Sequence, residues 1–527
     1  MSTRWDFRPR FVAVLLLFAG PAAQAQMTDQ TQTPNVEGAG IHKSLDQQIG
    51  AGVGDWTTPD SSSYIIARDP ARAIRRGRQL FQRKFTLMQG FGPRTHDGIG
   101  DIAAEGAIGA GLIESCAGCH GRPRGAAGFG GDVATRPDSR DAPHLFGLGL
   151  KEMLADEMTS DLRAIRQKAR DLARSTGRTA SLTLQSKGVQ YGVIRVDRDG
   201  RVDTSGVRGV NADLRVRPFF AHGGTTSIRE FVVGAFNDEM GLQAVDPLTA
   251  RAAAGERVVT PTGMVLDGTQ DLVKRANATF PADDPDNDGI RNEIPTSLVD
   301  FMEFYLFNYF KPGTYRQSAA TQFGQVLMKE TGCTGCHVPS LTINRDRRIA
   351  DVETTYDPGR AIFNGLFSNA RLLIYEEDDG SGNPTVKVPL QRPFVVRNFF
   401  SDLKRHDLGP AFHERNYDGT ITKEFMTTPL WGVGSSPPYG HDGRSINLRE
   451  VILRHGGEAQ KSRNAFAALP EIGKAAMLEF LNSLVLFPPD DTASNLDPGN
   501  PNAPGYPQRG HGSISLSVLF NSPSDLE

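Results

Sequence analysis

The amino-acid sequence predicts a mainly α-helical protein of two related halves, with β-hairpins and long loops inserted between the helices. Two Cys-x-x-Cys-His strings, at 116–120 and 333–337, mark the halves. Each string follows a segment with helical periodicity, and both segments contain Gly-x-x-Leu followed by a bulky apolar residue, starting at Gly77 and Gly324. Because a chain of 527 residues exceeds what one hydrophobic core usually holds, more than one domain is expected.

The first 25 residues have the layout of a secretory signal peptide. A basic segment ending at Arg10 is followed by the apolar run FVAVLLLFAG and by the small-residue cleavage pattern Ala23-Gln24-Ala25. This run is too short to cross a bilayer, and no later stretch approaches the roughly 20 apolar residues that a membrane helix needs. We therefore expect cleavage after Ala25 and a soluble, periplasmic or secreted protein that does not span the membrane. The alternative is an amino-terminal anchor that is retained.

The first half is predicted to begin after a flexible leader. Residues 26–63 are rich in Gly, Thr, Asp and Gln without periodicity, so the packed N-terminal domain is expected over 64–312. Alternating apolar and polar residues around an Asp-Gly turn predict a β-hairpin at 189–203. A similar pattern predicts a second hairpin at 371–390, in the other half.

The domain boundary is placed where a strong helix ends at Lys311-Pro312-Gly313. The C-terminal domain is then expected over 313–490, and its last helix ends before two prolines. Residues 491–527 form a Pro and Gly-rich tail, with one strand predicted at 513–520. The apolar face of the boundary helix comprises Leu298, Phe301, Met302, Tyr305 and Tyr309.

The cysteine spacing predicts covalent haem attachment. In an exported chain an even number of cysteines would ordinarily suggest disulfides, but all four cysteines fall in the two strings and none is left to pair. A Cys-x-x-Cys pair on one helical turn can bond both vinyl groups of a porphyrin, and the adjacent histidine can bind its iron. We expect two haems, attached through Cys116, Cys119 and His120 and through Cys333, Cys336 and His337. A zinc cluster and a pair of thioredoxin-like redox motifs are the alternatives.

The second half resembles a known superfamily. The stretch TPLWGVGSSPPYGHDGRSINLREVILRHGG at 428–457 is similar to the Thr-Pro…Pro-Tyr-x-His-Asp-Gly signature of bacterial di-haem cytochrome c peroxidases and MauG-type enzymes. The strings at 141–150, 284–294 and 401–409 most resemble its di-haem oxidoreductase branch. The resemblance implies two cytochrome-c-like domains, with an electron-relay haem in the C-terminal one. It also implies that the haem on His120 keeps an open position for an oxidant.

The resemblance extends to a distal pocket at 219–240. Glu239 matches the acidic residue that relatives use in proton transfer, so it is the candidate catalytic residue; the alternative is a solvated surface carboxylate. Phe231 stands where peroxidases have a pocket glutamine, and Ala221 where they have a tryptophan between the haems. Both differences weaken the assignment to peroxidases.

His455 is predicted to be the sixth ligand of the haem held by His337. It follows three apolar residues at helical spacing, Leu448, Val451 and Ile452, so its imidazole lies on the apolar face. By resemblance, peroxidases place an axial methionine at this distance after their His-Asp-Gly string, which implies a relay haem with two histidine ligands. The alternative is a hydrogen-bonded core histidine.

Three other histidines have less defined roles. His144 lies 24 residues after His120, so a loop could return it to the same iron, or it could be a core or surface residue. The resemblance gives His406 and His441 hydrogen-bonding roles near a haem propionate or between domains.

Calcium is a further predicted ligand. Three aspartates have EF-hand-like spacing: Asp284, Asp286 and Asp288. The twelfth position of an EF-hand loop, which normally supplies a glutamate, falls on Pro295 here, and the nearest carboxylate is Glu293. The alternative is an acidic turn before a helix. Di-haem peroxidases also hold calcium between their domains, and the resemblance places part of that site at Ser436 and Pro438.

Three functions remain open at this point. The first is a di-haem oxidoreductase that reacts with a small oxidant such as peroxide at the His120 haem and exchanges electrons with a redox partner protein through the His337 haem. The second is a haem-dependent dioxygenase acting on an apolar substrate, by similarity to exported di-haem rubber oxygenases, because Phe231 removes a hydrogen-bond donor. The third is a non-enzymatic electron carrier. A net charge of −3 without a long basic run gives no sign of a nucleic-acid partner.

Overall fold

The computed structural model describes the chain over 52–92, 113–120, 141–308, 313–314, 317–356, 366–416 and 418–485. Side chains are described in the same ranges except at 313–314, 352–356 and 366–370. The predicted signal peptide, the leader up to residue 51 and the predicted tail with its strand lie outside the described residues.

Eleven α-helices form within the described residues, and none of them combines the length and apolar character needed to cross a membrane. Short 3-10 helices occur at Leu87–Gln89, Cys333–Gly335 and Gly457–Ala459. The α-helices are α1 Ser62–Arg68, α2 Pro70–Gln82, α3 Cys116–His120, α4 Leu148–Thr176, α5 Ile228–Met240, α6 Pro247–Ala253, α7 Thr296–Asn308, α8 Ala319–Glu330, α9 Leu448–Arg454, α10 Gln460–Ala468 and α11 Glu471–Asn482.

The strands form one three-stranded sheet and several two-stranded ladders. They are β1 Ala180–Ser186, β2 Val189–Val196, β3 Val202–Asp203, β4 Arg257–Val259, β5 Val265–Asp267, β6 Gly313–Thr314, β7 Leu341–Ile343, β8 Ala350–Tyr356, β9 Leu366–Leu372, β10 Ile374–Glu377, β11 Val386–Pro389, β12 Phe394–Val396, β13 Arg405–Asp407, β14 Glu414–Arg415, β15 Ile421–Thr422, β16 Glu424–Met426 and β17 Leu484–Val485.

The fold is mixed, and it contains more strand than the expectation of a mainly α-helical protein implies. Helices account for 37% of the described residues and strands for 17%. The difference comes largely from the stretch 341–426, where one hairpin is predicted but ten of the 17 described strands lie. Eight of these ten strands have only two to four residues, so their alternation of apolar and polar residues is too brief to detect by periodicity.

Both predicted hairpins form. In the first half β2 pairs with β3 around the Asp-Gly turn, matching Val196 with Val202, and β1 adds a third strand that pairs with β2. In the second half β10 pairs with β11, matching Ile374 with Pro389.

Packed structure is already present before the predicted boundary at Tyr64. Helix α1 starts at Ser62, because the Ser61 side chain accepts a hydrogen bond from the Tyr64 N–H at 3.0 Å and so caps the helix. The Ser62 hydroxyl donates to the buried carboxylate of Asp300 on α7 at 2.7 Å. Polar anchoring of this kind leaves no trace in the hydrophobic pattern, and for that reason the sequence analysis assigned these residues to the leader.

The largest hydrophobic core contains residues from both halves. It joins Phe301 and Leu306 of α7 to Leu341, Phe399 and Trp431 of the second half. A smaller core, around Met328, Phe466 and Phe480, fills the space between α8, α10 and α11. Cys116 of the first string packs against the larger core, and Cys333 of the second string packs against the smaller one.

Candidate haem site

A single cavity of about 1270 Å³ is lined by both Cys-x-x-Cys-His strings. Sites for one small ligand usually measure roughly 300–1,000 Å³, so this cavity has room for more than one such group. Its walls include Phe81 and Met302 from the first half and Met328 and Leu481 from the second. The shape and the apolar walls fit two porphyrins held between the halves.

The first string forms helix α3, one helical turn that begins at Cys116 and ends at His120. Cys116, Cys119 and His120 all line the cavity. The Nδ1 atom of His120 donates to the carbonyl oxygen of Pro143 at 2.7 Å. A ligating histidine is usually oriented by such a bond on its other nitrogen, which leaves Nε2 to bind the metal.

The second string forms a 3-10 turn, in which the backbone N–H of His337 donates to the carbonyl of Cys333 at 2.9 Å. The Nδ1 atom of His337 donates to the carbonyl oxygen of Phe400 at 3.0 Å. Both strings therefore present their histidine in the same way, although the two turns differ in backbone geometry.

The protonation of these groups also fits haem. Burial lowers the pKa of His120 and of His337, while their hydrogen bonds to backbone carbonyls act in the opposite direction, so the neutral imidazole that binds iron is favoured. Burial raises the pKa of the Cys116 thiol to about 12 and raises that of Cys333.

The two cysteine pairs do not meet. All four cysteines are free of disulfides. Within the described part of the chain, one group of possible metal ligands contains a cysteine. It consists of Cys336, Asp402 and His406, so it includes a cysteine of the second string only. A zinc cluster shared by the two strings therefore finds no support.

His455 has the same arrangement as the two string histidines. It caps the end of α9, lines the cavity and donates from Nδ1 to the carbonyl of Val451 at 2.7 Å, so Nε2 is left for a metal. Burial and, to a lesser degree, the nearby His337 lower its pKa to about 4. His455 thus lies near His337, and its role as an iron ligand stays a prediction.

His144 is arranged differently. Its Nε2 atom donates to the carbonyl oxygen of Trp431 at 3.1 Å, and its Nδ1 atom accepts from the N–H of Phe146 at 3.3 Å. Both ring nitrogens are engaged with the backbone. The arrangement therefore does not support iron ligation by His144.

The distal pocket predicted from 219–240 lies on the wall of the same cavity. The rings of Phe219 and Phe220 pack against Phe231, with centroids 6.0 Å and 5.3 Å away. Ala221 lines the cavity beside them, and Glu239 lines it from the last turn of α5. The pocket is thus a cluster of three phenylalanines with one half-buried carboxylate.

Helix α5 is fixed by an ion network that the sequence analysis missed. The fully buried guanidinium of Arg229 binds Asp246, Asp300 and Glu303 at 2.9, 2.8 and 2.8 Å. Its pKa is raised because the three acidic partners outweigh the cost of burial. Networks of this kind restrict how elements pack, and this one holds α5, which carries Glu239, against α7.

Lys151 is a second residue that the sequence analysis missed. It lines the cavity from the first turn of α4, with its ammonium 5.6 Å from the centre of the Phe219 ring. Burial lowers its pKa to about 8. The sequence feature that could have revealed Lys151 is its position three residues after Leu148, where it interrupts an otherwise apolar helix face.

His406 lies between two carboxylates beside the second string. Its ring nitrogens are each 2.8 Å from an acidic oxygen, of Asp402 and of Glu458. Burial alone would lower the pKa of His406, but the hydrogen bond that its ring donates to Asp402 contributes most to raising the pKa to about 11, which favours the cationic ring. A cation beside Cys336 is suitably placed to attract an anionic group such as a carboxylate.

His441 lies between the halves. Its ring stacks on Phe425, with centroids 3.8 Å apart. Its backbone carbonyl accepts a hydrogen bond from the Asp141 N–H at 2.9 Å, which links the first half to the second.

Two acidic sites are candidates for calcium. In the first, ligand atoms of Asp284, Asp286 and Asp288 lie within 4.8 Å of one another. Burial and the neighbouring Asp288 raise the pKa of Asp286 to about 6. Glu293, the nearest carboxylate to the EF-hand's last position, instead accepts the Gln243 N–H at 2.7 Å.

The second candidate lies beside Pro438, at the position implied by the resemblance. A Cβ atom added to Gly443 would lie 3.2 Å from both Asp141 and Pro438, so these residues are neighbours. The Oδ1 atom of Asp141 is buried and accepts no hydrogen bond within the described residues. Burial and the Asp442 carboxylate raise the pKa of Asp141 to about 7. A buried carboxylate oxygen without a partner fits a bound cation.

Comparison with known families agrees with the motifs of the second half. Residues 373–484 match the family described as "Di-haem oxidoreductase, putative peroxidase". The chain therefore carries a di-haem oxidoreductase domain of this family, and the predicted resemblance is confirmed over this stretch, which contains the strings at 401–409 and 428–457. The similarity to rubber oxygenases stays a prediction.

Other comparisons add little. No curated protein matches the chain. Among solved structures, hydrazine synthase of Kuenenia stuttgartiensis matches at 16% identity, over 36% of this chain and 55% of that one. The chain thus spans about half the length of that protein, and the TM-score of 0.21 is too low to support an inference.

Proposed function

We propose that the protein is an exported, periplasmic or secreted di-haem c-type cytochrome oxidoreductase with peroxidase-like activity. The observation that carries this proposal is the shared cavity lined by His120, His337 and His455, each of which uses Nδ1 to bond a backbone carbonyl. Each half would then be a cytochrome-c-like domain, with its haem bound covalently through the cysteine pair. The family match over 373–484 supports an oxidoreductase.

The two halves would have different tasks. When bound, the haems supply redox-active iron and, on the His120 side, an open position for a small oxidant. His337 and His455 would both hold the haem of the relay site, which would leave its iron no position for an oxidant. An external redox partner protein would exchange electrons at this site.

The protein groups around the His120 side have separate roles. Phe219, Phe220 and Phe231 exclude water from the oxidant. Glu239 takes a proton from the oxidant at its carboxylate oxygen and returns it to the leaving oxygen, as a general base and then a general acid. Lys151, with its lowered pKa, adds a cation that attracts the anionic form of the oxidant.

Calcium would bind between the halves. Asp141 supplies the carboxylate, because its Oδ1 atom has no partner within the described residues and Pro438 lies beside it. Oxygen ligands of this type suit Ca²⁺. Its positive charge would relieve the repulsion between Asp141 and Asp442.

One observation favours a second candidate, the haem-dependent dioxygenase. The three phenylalanine rings present an apolar surface to the cavity beside His120. Such a surface accommodates an apolar substrate better than it polarises peroxide, because no side chain at position 231 donates a hydrogen bond.

Purified protein from a host that matures c-type cytochromes separates these functions. Mass spectrometry under denaturing, reducing conditions should show two haem masses retained on the chain, and a chain without haem would refute the whole proposal. The protein should then reduce hydrogen peroxide while it oxidises a chromogenic reductant. Consumption of dioxygen with a polyisoprene substrate, but not of peroxide, would favour the dioxygenase. Two bound haems that react with neither would leave an electron carrier.

A further inference from the structure

An unbroken series of bonds connects the imidazole of His120 with that of His337. From His120, Nδ1–H donates to the Pro143 carbonyl at 2.7 Å, and Pro143 is bonded to His144 through its peptide. The His144 ring then donates from Nε2 to the carbonyl of Trp431 at 3.1 Å. These two hydrogen bonds take the series from the first half into the second.

The series continues along the backbone of the second half. Leu430, which precedes Trp431, donates from its N–H to the Phe399 carbonyl at 3.1 Å. The next residue, Phe400, accepts the Nδ1–H of His337 at 3.0 Å. Four hydrogen bonds and the short stretches of covalent chain between them therefore join the two imidazoles.

The middle of this series is closely packed. Trp431 is 4% exposed and Phe399 is 0% exposed, and their rings meet edge to face with centroids 5.1 Å apart. On the other side, a Cβ atom added to Gly147 would lie 2.7 Å from the Trp431 ring, so the loop that carries His144 rests directly on the indole. Close packing on these two sides of the indole fixes the geometry of the His144 hydrogen bond.

His144 is the one side chain in the series besides the two string histidines. All other steps use backbone groups, which substitutions do not remove. Ala221 stands where the resemblance places a tryptophan between the haems, and its methyl group provides no aromatic ring there. Iron ligation, one of the roles considered for His144, has no support in this arrangement, because both ring nitrogens bond the backbone.

We propose that His144 is a positioning residue for electron transfer between the two haems, through the hydrogen bond from its Nε2 to the Trp431 carbonyl. This inference rests on the proposed function, since it requires a haem on each string histidine. One electron leaves the haem held by His337 and arrives at the haem held by His120. No bond is made or broken, and the Nδ1 protons stay on their rings. The redox partner protein, a one-electron donor, replaces the electron.

The test compares three variants of the mature di-haem protein. His144→Leu removes the donor, and His144→Gln restores an amide that can donate to the same carbonyl. His413→Leu is the matched control, because His413 bonds Asp407 at 2.8 Å and does not line the cavity. In each protein a single electron is injected by pulse radiolysis, and its redistribution between the haems is followed by absorbance, together with both midpoint potentials and the haem content by mass spectrometry.

We expect His144→Leu to slow redistribution by about 10-fold or more, the scale on which residues behind metal ligands act, at unchanged potentials. His144→Gln should recover most of the rate, and His413→Leu should keep it. An unchanged rate in His144→Leu, or a slow rate that His144→Gln does not recover, would overturn the inference. Failure of the proposed function is distinct, because it would appear in the unmodified protein as missing haem or absent reaction with oxidant.

Discussion

The two halves hold their string histidines in the same way but differ in the groups that line the cavity near them. In each half Nδ1 of the histidine donates to a backbone carbonyl, of Pro143 or of Phe400. Near His337 lies His455, a third histidine with this arrangement. The pocket at 219–240 has phenylalanines and carboxylates instead. In the proposed function this difference, and not the way the histidines are held, separates a reactive site from a relay site.

The largest effect is expected at the carboxylate of the first half. Glu239→Gln should slow peroxide-dependent turnover by about 100-fold or more, because an amide cannot accept and return the proton. The haem absorbance spectrum and thermal stability should stay unchanged. Glu256→Gln, in an exposed ion pair with Arg251, serves as the control and should keep full activity. Equal activity of the two variants would remove Glu239 from the proposed mechanism.

The relay site is tested by removing its second histidine, His455. His455→Ala should convert a low-spin EPR signal to high-spin and lower turnover by about 10–100-fold, while both haems stay covalently bound. His455→Met should restore a low-spin signal at a higher midpoint potential, since methionine ligation raises the potential of a haem. An EPR spectrum and midpoint potential that are unaffected in His455→Ala would show that the iron on His337 has another sixth ligand.

Each half also contains a close contact between two helices at a glycine, and both contacts can be tested by measuring the free energy of unfolding. An alanine Cβ at Gly77 would lie 2.1 Å from the Phe301 carbonyl oxygen of α7, and one at Gly324 would lie 2.1 Å from the Ala476 carbonyl oxygen of α11. We expect each Gly→Ala change to lower the free energy of unfolding by about 1–3 kcal/mol, as overpacking does.

Gly234 in α5 is the matched control for this measurement. Its nearest neighbour is 4.0 Å from an added Cβ, so Gly234→Ala should raise the free energy of unfolding by about 0.5–1 kcal/mol through helix propensity alone. Denaturant unfolding of the three variants measures both signs. If Gly77→Ala or Gly324→Ala stabilises the protein, the close helix contact at that glycine is contradicted.

The sequence led to side chains that line one cavity, although their roles as haem ligands stay predictions. Covalent attachment of a haem needs the Cys-x-x-Cys-His spacing, and both strings lie on single turns. The helical spacing of His455 pointed to a third histidine of the same cavity. The repeated glycines have a common cause, which is close helix contact. The ladders of two or three residues in 341–426 escaped detection, because so few alternating residues do not make a recognisable period.

What the sequence could not predict depends on contacts between distant residues. The hydrogen bonds that fix His120, His337 and His144 are made to backbone carbonyls, which every residue has, so no residue type reveals them. Arg229 and its acidic partners are separated by up to 74 positions. In the sequence Lys151 has no feature that sets it apart from other lysines, and the structure alone shows that its ammonium lies beside the Phe219 ring.

The smallest effect is expected where the halves meet, at Asp141, whose pKa is raised from 3.8 to about 7 by burial and by Asp442. A carboxyl whose pKa is higher in the folded protein stabilises the fold fully below pH 3.8, and this contribution is lost as pH rises through about 7. In protein treated with a chelator, Asp141→Asn should therefore raise the melting temperature by about a few degrees at pH 8 and leave it unchanged near pH 3.5. Added Ca²⁺ should raise the melting temperature of the unmodified protein at pH 8 and have little effect on Asp141→Asn. Equal responses of the two proteins to Ca²⁺ would place the cation elsewhere, and equal melting temperatures at pH 8 without it would mean that the Asp141 carboxyl is not destabilised by its surroundings.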